Sequence, residues 1–369
     1  MRFIFGREIT DPSDLYDRDE ELRILINAFR DLQPIAVIGH RRLGKSSLLN
    51  VALRLVGDDF ITVKVSLEGV RTIRQFLDLY AGSVLAEAMA KSFRLRVRAA
   101  MTSARDYLHE LLGAVREVGV RVGSFEFYVR LYSDVVDGRV GAMDALREFL
   151  DMPQRIAEDI GRRVIIVLDE FQQIRFLKQP YPEILRVLRS RWQGHNMVEY
   201  AIAGSEVGII RGLLGRSDEP FFAFFRIIEL KPFSREVGIS FLKDGLREYG
   251  KSCPEEILEK AYELTGGFPA WLSLVGINIV ERGCDAWNLL NDSTVRVIIE
   301  SELRGLTQAQ LAMLRALARE IRVTKSGVNK PSRVLNELIS KGLIERRGRG
   351  DYVIIDPIIR SYLTLESQY

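Results

Sequence analysis

A glycine-rich loop between an apolar run and a helix-forming run constrains this chain more than any other feature. Residues 39–46 read GHRRLGKS, which matches the pattern G-x-x-x-x-G-K-[ST], and they stand between IAVI and SSLLNVALRL. Glycine permits the tight winding that turns successive backbone N–H groups towards a phosphate, and the N-terminus of the following helix attracts anions. The alternative is a glycine-rich turn with a solvated lysine. The strand–loop–helix context favours a site for ATP or ADP.

Each polar residue of the loop has an expected task. Lys45 supplies a mobile charge for the β- and γ-phosphates, and the hydroxyl of Ser46 can ligate Mg²⁺. The nucleotide-binding residues that we expect from the loop are Gly39, His40, Arg41, Arg42, Leu43, Gly44, Lys45, Ser46 and Ser47.

Two carboxylates follow a second apolar run, residues 164–168, which read VIIVL. Asp169 would hold Mg²⁺ through water, and Glu170 would polarise the water that attacks the γ-phosphate. Taken alone, two acids after a strand are equally well explained as a solvated turn. Together with the phosphate loop they form a specific pair, since parallel strands deliver both motifs to one edge of a sheet.

Strand-like and helix-like patterns alternate over the first 230 residues, which predicts a three-layer α/β domain with a parallel five-stranded sheet. The strand-like runs are 35–39, 60–66, 164–169, 198–204 and 226–230. The helix-like patterns are 46–55, 72–90, 106–118, 142–160 and 182–192. Alternating residues within 119–133 predict an inserted β-hairpin.

After residue 230 the strand pattern stops, and helix patterns predict a small helical domain over 234–249, 254–264, 269–282 and 293–303. The tail begins with Thr307 as an expected N-cap, then a helix to residue 320, a second helix over 331–341, and two strand-like runs at 343–347 and 352–355 around a Gly-Arg-Gly turn. This is the plan of a winged helix. The predicted domains are 1–232, 233–302 and 303–369.

Composition and charge exclude several classes of protein. The opening residues MRFIFGREIT lack the apolar core of a signal peptide, and no apolar stretch is long enough to span a membrane, so we expect a cytoplasmic protein without a membrane partner. Cys253 and Cys284 allow at most one disulfide and no zinc cluster. Residues 303–369 carry a net charge of +6, against −3 for the remainder, which indicates a polyanionic partner for the tail.

These motifs, in this order, resemble the archaeal ATPases of the STAND group, P-loop NTPases related to AAA+ proteins and to archaeal origin-recognition ATPases. The resemblance rests on DRDEEL at 17–22, on the GxRRxGKS loop, and on LDEFQ at 168–172. Weaker support comes from AGS at 203–205, GGFPAWLSL at 266–274 and IDPIIR at 355–360. His40 departs from the proline of many relatives, and we interpret it as a loop residue.

The resemblance implies roles for four more residues. Arg18, with the backbone around Tyr16, would lie at the adenine pocket, and Ser205 would be a polar sensor of the γ-phosphate. Pro269, in the turn from Gly267, would bring a helical lid to the nucleotide. Arg226 would reach a phosphate, although a surface charge explains it equally well.

The predicted winged helix provides a basic surface for double-stranded DNA. The candidate contacts are Lys330, Ser332, Arg333, Asn336, Arg346, Arg347 and Arg349. Basic side chains would meet phosphates, whereas Arg333 or Asn336 would contact base edges. Winged helices also serve as protein-docking or autoinhibitory modules, so the sequence leaves two hypotheses. One is an ATP-driven switch that binds DNA, and the other is a regulatory ATPase whose tail contacts protein. Nothing marks the acceptor site of a small-molecule kinase, and the oligomeric state is left open.

Overall fold

The computed structural model describes residues 2–93, 123–177 and 181–366. It contains a five-stranded parallel sheet in the order β2-β3-β4-β1-β5. The strands are β1 Ile35–Ile38, β2 Ile61–Ser66, β3 Val164–Asp169, β4 Val198–Gly204 and β5 Arg226–Glu229. All residues of β1, β3 and β4 are buried, which explains why these strands are apolar at consecutive positions rather than at alternate ones. The predicted parallel sheet is confirmed.

Helices cover both faces of this sheet. They are α1 Asp19–Asp31, α2 Lys45–Val56, α3 Ile73–Phe93, α4 Gly123–Val136, α5 Ala142–Ile160, α6 Tyr181–Trp192 and α7 Val207–Gly215. One buried apolar cluster joins the sheet to α3–α7, and a second joins the opposite face to α1 and α2. The three-layer arrangement therefore follows from burial on both faces. The predicted helix over 106–118 lies outside the described residues.

The predicted hairpin at 119–133 is wrong for its described part, because residues from Gly123 onwards form helix α4. Tyr128, Val129, Tyr132 and Val135 are buried in the first cluster. Their spacing of one, four and seven residues is that of one helix face, which buries them against α3 and α5. The apolar residues of this short stretch fit a period of two as well as 3.6, so local alternation misled the prediction.

Four helices follow the sheet, as the sequence predicts: α8 Arg235–Glu248, α9 Glu255–Thr265, α10 Pro269–Arg282 and α11 Ser293–Arg304. Ser234 caps α8 by accepting a hydrogen bond from the Val237 N–H. Cys253 and Cys284 form a disulfide between the loop before α9 and the segment after α10. We call α8–α11 the central helices.

The C-terminal module, residues 303–366 as described, contains α12 Gln308–Ala318, α13 Pro331–Ser340, strands β6 Ile344–Gly348 and β7 Asp351–Ile354, and α14 Pro357–Glu366. Thr307 is the N-cap of α12, in a capping box with Gln310. Helix α14 was not predicted from the sequence. Asp356 caps it by accepting hydrogen bonds from the N–H groups of Ile358 and Ile359.

The second apolar cluster continues without interruption from the sheet through the central helices into the C-terminal module. Leu49 of α2, Trp271 of α10 and Leu338 of α13 all belong to it and are all fully buried. The predicted domain boundaries at 232 and 302 therefore remain predictions, and α11 runs two residues past the second one. Within the described ranges, no helix has both the length and the apolar character needed to cross a membrane.

Candidate functional site

The carboxyl ends of three neighbouring strands bring the predicted catalytic residues together. Gly39 follows β1, Ser205 follows β4, and Asp169 is the last residue of β3. The parallel register pairs Ile38 with Gly204 and Leu168 with Ile202, so the three strands end at nearly the same level. This edge is where open parallel sheets bind ligands.

Two glycines of the phosphate loop have conformations or neighbours that require glycine. Gly44 has φ +88°, in the left-handed region, immediately before α2 begins. A Cβ atom on Gly39 would lie 2.9 Å from the carbonyl oxygen of Leu230, so any side chain there would displace β5 or the loop. The loop is therefore wound tightly between β1 and the N-terminus of α2, as the motif predicts.

Lys45 is the first residue of α2 and is buried, with 6% of its surface exposed. Its Nζ donates a hydrogen bond to the backbone oxygen of His40, 3.0 Å away. Burial lowers the pKa of Lys45 to about 8, an effect that the nearby carboxylates of Glu170 and Asp169 oppose. The lysine is thus positioned inside the loop, with its positive charge balanced only in part.

Ser46 and Asp169 form the pair expected for Mg²⁺. The Ser46 hydroxyl donates to Asp169 Oδ2 at 2.7 Å, and Lys64 Nζ lies 3.6 Å from the same oxygen. Hydroxyl and carboxylate oxygens are donors that Mg²⁺ accepts, and this ion usually takes few protein ligands besides phosphate and water. The described residues contain no group of three or more acidic, histidine or cysteine side chains placed to hold a metal ion. The Ser46–Asp169 pair supplies two oxygen donors of the kind that a nucleotide-bound Mg²⁺ accepts. Lys64 was not predicted.

Glu170 is held by two polar neighbours. Ser205 Oγ donates to Glu170 Oε2 at 2.9 Å, and Gln172 Nε2 donates to the same oxygen and lies 3.3 Å from Ser205 Oγ. Gln172 is fully buried, and Glu170 has φ +53° just after β3. The predicted sensor and the predicted water-activating carboxylate are therefore in direct contact. Gln172 is a site residue that the sequence analysis included in LDEFQ without giving it a role.

A cavity of 460 Å³ adjoins these residues. The N-terminal segment, residues 2–18, forms one wall, the phosphate loop and α2 form another, and α8 and α10 close it. Tyr16, Arg18 and Pro269, which the family resemblance places near the nucleotide, all line it. Arg18 also fixes the N-terminal segment to the segment after β5. Its guanidinium donates to the carbonyl of Lys231 at 2.6 Å and lies 4.9 Å from the Phe233 ring centre.

The remaining nucleotide-site predictions have mixed outcomes. Leu43 is a core residue, 1% exposed, and Ser47 Oγ accepts a hydrogen bond from the Ile9 N–H of the N-terminal segment. Arg41 is exposed and lines the cavity. Arg226 is paired with Ile35, at the amino end of β1, whereas the phosphate loop follows the carboxyl end. The structure therefore does not bring Arg226 to the phosphate site within one chain.

Two residues of the phosphate loop contact the C-terminal module. His40 Nε2 lies 3.4 Å from Glu345 Oε2, and burial lowers the pKa of His40, so this contact is made by a neutral ring at neutral pH. Arg42 forms ion pairs with Glu302 of α11 and with Asp356, whose Oδ2 is 2.8 Å from Arg42 Nη1. Both residues were expected at the nucleotide, and these partners in the C-terminal module and α11 were not predicted.

The seven candidate DNA contacts are all exposed on the C-terminal module. Those on α13 lie on the side opposite its buried residues Val334, Leu335 and Leu338, and those of the hairpin lie at its tip. Arg333 pairs with Glu337 at 2.9 Å, and Arg347 with Glu345 at 3.1 Å. Their exposure leaves them free to meet a partner while the module is packed on the sheet domain.

Comparisons with known proteins agree with this geometry. The family model for an ATPase domain predominantly from Archaea matches residues 15–275. The Walker-type ATPase PABY2304 of Pyrococcus abyssi has a similar structure, with TM-score 0.70, 22% identity, and coverage of 98% of this chain and 99% of that one. The ORC2 protein of Aeropyrum pernix, in its ADPNP–ADP complexes, gives TM-score 0.55, 14% identity, and coverage of 100% and 98%. A search of curated proteins finds no match. Since the family model spans most of the chain and its motifs form one site, this protein belongs to the ATPase family found predominantly in Archaea.

Proposed function

We propose that this protein is an ATP-hydrolysing molecular switch whose nucleotide state is passed through the central helices, acting as a lid, to a C-terminal winged helix that binds double-stranded DNA. The observation that carries the ATPase part is that Lys45, Ser46 and Glu170 line one cavity. Ser46 is hydrogen-bonded to Asp169, and Glu170 to Ser205, at the edge of that cavity. That cavity is closed by α8 and α10, so a change at the phosphates has a direct route to the lid.

The residues divide the chemistry among them. Lys45 compensates the charge of the β- and γ-phosphates, and the N-terminus of α2 binds them through its N–H groups. Bound Mg²⁺, held by Ser46 and Asp169, would neutralise further phosphate charge. Glu170 orients and polarises the attacking water, and the hydrogen bond from Ser205 fixes the direction of its carboxylate. Through this contact we expect Ser205 to respond to the presence of the γ-phosphate.

The DNA part of the proposal is supported by the exposed basic residues of α13 and the β6–β7 hairpin and by the +6 charge of residues 303–369. The A. pernix neighbour is named ORC2, and its similarity extends over the whole chain. A second candidate function, a regulatory ATPase whose tail docks protein or inhibits the nucleotide site, is favoured by the contacts of His40 and Arg42 with the C-terminal module.

Two variants test the nucleotide chemistry. Lys45→Ala is expected to abolish ATP binding in calorimetry, because it removes the charge that compensates the β- and γ-phosphates. The circular dichroism spectrum should stay unchanged, because alanine is a good helix former at this position. Glu170→Gln is expected to bind ATP with Mg²⁺ normally and to lose most hydrolysis in a phosphate-release assay. Normal hydrolysis by Glu170→Gln would refute the assignment of this residue.

The choice between the two functions is tested by titrating labelled duplex DNA from low to moderate salt in ATP and in ADP. We expect binding that weakens steeply with salt, as phosphate contacts require, and that differs between the two nucleotides. Absence of binding at low salt in both nucleotides would reject the DNA function and leave the protein-docking alternative.

A further inference from the structure

Arg42 joins the phosphate loop to parts of the chain that are distant in sequence. Its guanidinium contacts Glu302 at the end of α11 and Asp356 at the start of α14, and its side chain is only 17% exposed. The backbone oxygen of Arg42 also accepts a hydrogen bond from the Ala270 N–H of α10, at 3.3 Å.

The aromatic ring of Trp271 completes this contact. Arg42 lies over it, with the guanidinium carbon 4.5 Å from the ring centre, and its indole N–H donates to both carboxylate oxygens of Asp356, at 3.1 and 3.0 Å. Phe5 of the N-terminal segment stacks on the same ring at 5.9 Å. Asp356 in turn caps α14. The carboxylate of Asp356 therefore contacts the phosphate loop, the central helices and the C-terminal module at once.

The backbone at Arg42 is one that a non-glycine residue rarely adopts, with φ +70°. It lies between Arg41, which lines the nucleotide cavity and the smaller cleft beneath the C-terminal module, and Leu43, which is buried in the core. A left-handed residue persists where its surroundings hold it. Here the surroundings are the two carboxylates, Trp271 and the N–H of Ala270.

We propose that Arg42 is a positioning residue, and that docking of α11 through Glu302 and of the C-terminal module through Asp356 organises the phosphate loop for nucleotide. In this arrangement the module strengthens ATP binding in its docked position. Because coupling between two binding events is reciprocal, bound ATP also holds the module more firmly to the sheet domain. The inference rests on the proposed nucleotide site. It predicts that the Arg42 contacts increase the affinity for ATP rather than lower it.

The test uses the full chain and the variants Glu302→Gln, Arg42→Gln and the double variant. We expect Glu302→Gln to weaken ATP binding, measured by calorimetry well below the unfolding temperature, by about five- to tenfold, the lower range of coupling between sites. We expect the double variant to bind ATP about as weakly as Arg42→Gln alone, because both changes break the same interaction. Additive losses would overturn the proposal.

A second measurement reads the same coupling from the module. Hydrogen exchange of residues 357–366 is expected to slow when ATP is added to the wild type, and to slow much less in Glu302→Gln. A merely structural role for Glu302 would change the exchange rate with and without ATP equally. The matched control is Glu366→Gln, which breaks the Arg315–Glu366 pair within the module, 3.1 Å long and away from the loop. It should leave both the ATP affinity and the ATP effect on exchange unchanged.

The outcomes separate this inference from the proposed function. If the wild type does not bind ATP, both are overturned. If the wild type binds ATP and Glu302→Gln binds it equally well or more tightly, the inference alone is overturned, and tighter binding would assign the module an inhibitory role.

Discussion

Lys45 carries its charge in a buried position, which makes nucleotide binding sensitive to pH in a range where ATP itself does not change. Burial lowers the pKa of this ammonium from 10.5 to about 8 in the free protein. ATP binds the form in which Lys45 is protonated. Molecules with a neutral lysine must therefore take up a proton from the solvent when ATP binds. The phosphates of ATP complete their titration near pH 6–7 and contribute little above that.

We therefore expect the affinity for ATP to be nearly constant up to about pH 7.5 and to fall by about tenfold per pH unit above pH 8. Calorimetry in two buffers of different ionisation enthalpy should detect proton uptake at pH 8.5 and little at pH 7. Binding without proton uptake at pH 8.5 would show that this lysine keeps its proton in the free protein.

Glu199 is a second buried ionisable group, and it affects the stability of the fold rather than the nucleotide site. It lies at the amino end of β4, is 1% exposed, and one of its carboxylate oxygens is buried without a hydrogen-bond partner. Burial raises its pKa to about 9. The folded chain therefore holds this proton more tightly than the unfolded chain, whose glutamates titrate near 4.5.

The contribution of Glu199 to the free energy of unfolding is therefore fully present below about pH 4.5 and is lost as the pH rises towards 9. Glu199→Gln, which is uncharged at every pH, is expected to remove that loss. The free energy of unfolding of the wild type should fall relative to the variant by about 1 kcal/mol per pH unit between pH 5 and 8. Urea denaturation at both pH values measures it, and parallel curves for the two proteins would contradict the prediction.

Sequence patterns predicted those strands and helices that are determined by the order of apolar and polar residues within the element itself. Strands β1 to β5 and helices α8 to α11 were found because each has a burial pattern of its own and clear breakers at its ends. Helix α4 was missed since its apolar residues fit two periods over a short stretch, and neighbours decide between them. Helix α14 was missed because its start depends on Asp356. The short run IDPIIR at 355–360 did not reveal that this residue caps a helix.

The N-terminal segment packs tightly on α10. Gly276 faces the ring of Phe3 so closely that a Cβ atom would lie 2.4 Å from the nearest ring carbon. Gly276→Ala should therefore displace the segment and lower the free energy of unfolding by about 1–3 kcal/mol, as overpacking does. Because the segment lines the nucleotide cavity, ATP affinity should also fall.

Two comparisons isolate the clash. Gly212→Ala in α7 meets no atom within 4 Å and should be neutral or stabilising by up to about 1 kcal/mol. In a Phe3→Ala background, Gly276→Ala should cost little more, since the ring that it strikes is gone. Equal costs in both backgrounds would mean that the destabilisation comes from a clash with another neighbour.

In the molecule as a whole, the sequence predicted the chemistry of the nucleotide site better than the contacts that join this site to α11 and to the C-terminal module. The phosphate loop, Asp169 and Glu170 are recognisable because each motif is contiguous and its strand context is readable. The partners of Arg42 are not, because Glu302 and Asp356 lie 260 and 314 positions away and share no pattern with the loop. Contacts of this kind are set by how the parts of the chain pack together.

The exposed tip of the β6–β7 hairpin carries three of the candidate DNA contacts. Replacing Arg346, Arg347 and Arg349 with Ala should weaken duplex binding for all DNA sequences, because arginines at a hairpin tip meet phosphates rather than base edges. Removing one arginine–phosphate interaction lowers the slope of log affinity against log salt by about one unit, so the slope of the triple variant should fall by at most about three. The unfolding free energy should stay within about 0.5 kcal/mol of the wild type, as for other exposed substitutions.

The matched control removes the same charge elsewhere. Arg139, Arg216 and Arg247 are exposed arginines outside the module, each paired with an aspartate. Their triple Ala variant should keep the wild-type salt slope, whereas Arg333→Ala or Asn336→Ala should change sequence preference if α13 enters the major groove. Equal weakening by the hairpin and control triples would mean that net charge alone drives binding, and an unchanged slope in the hairpin triple would place the DNA on another surface.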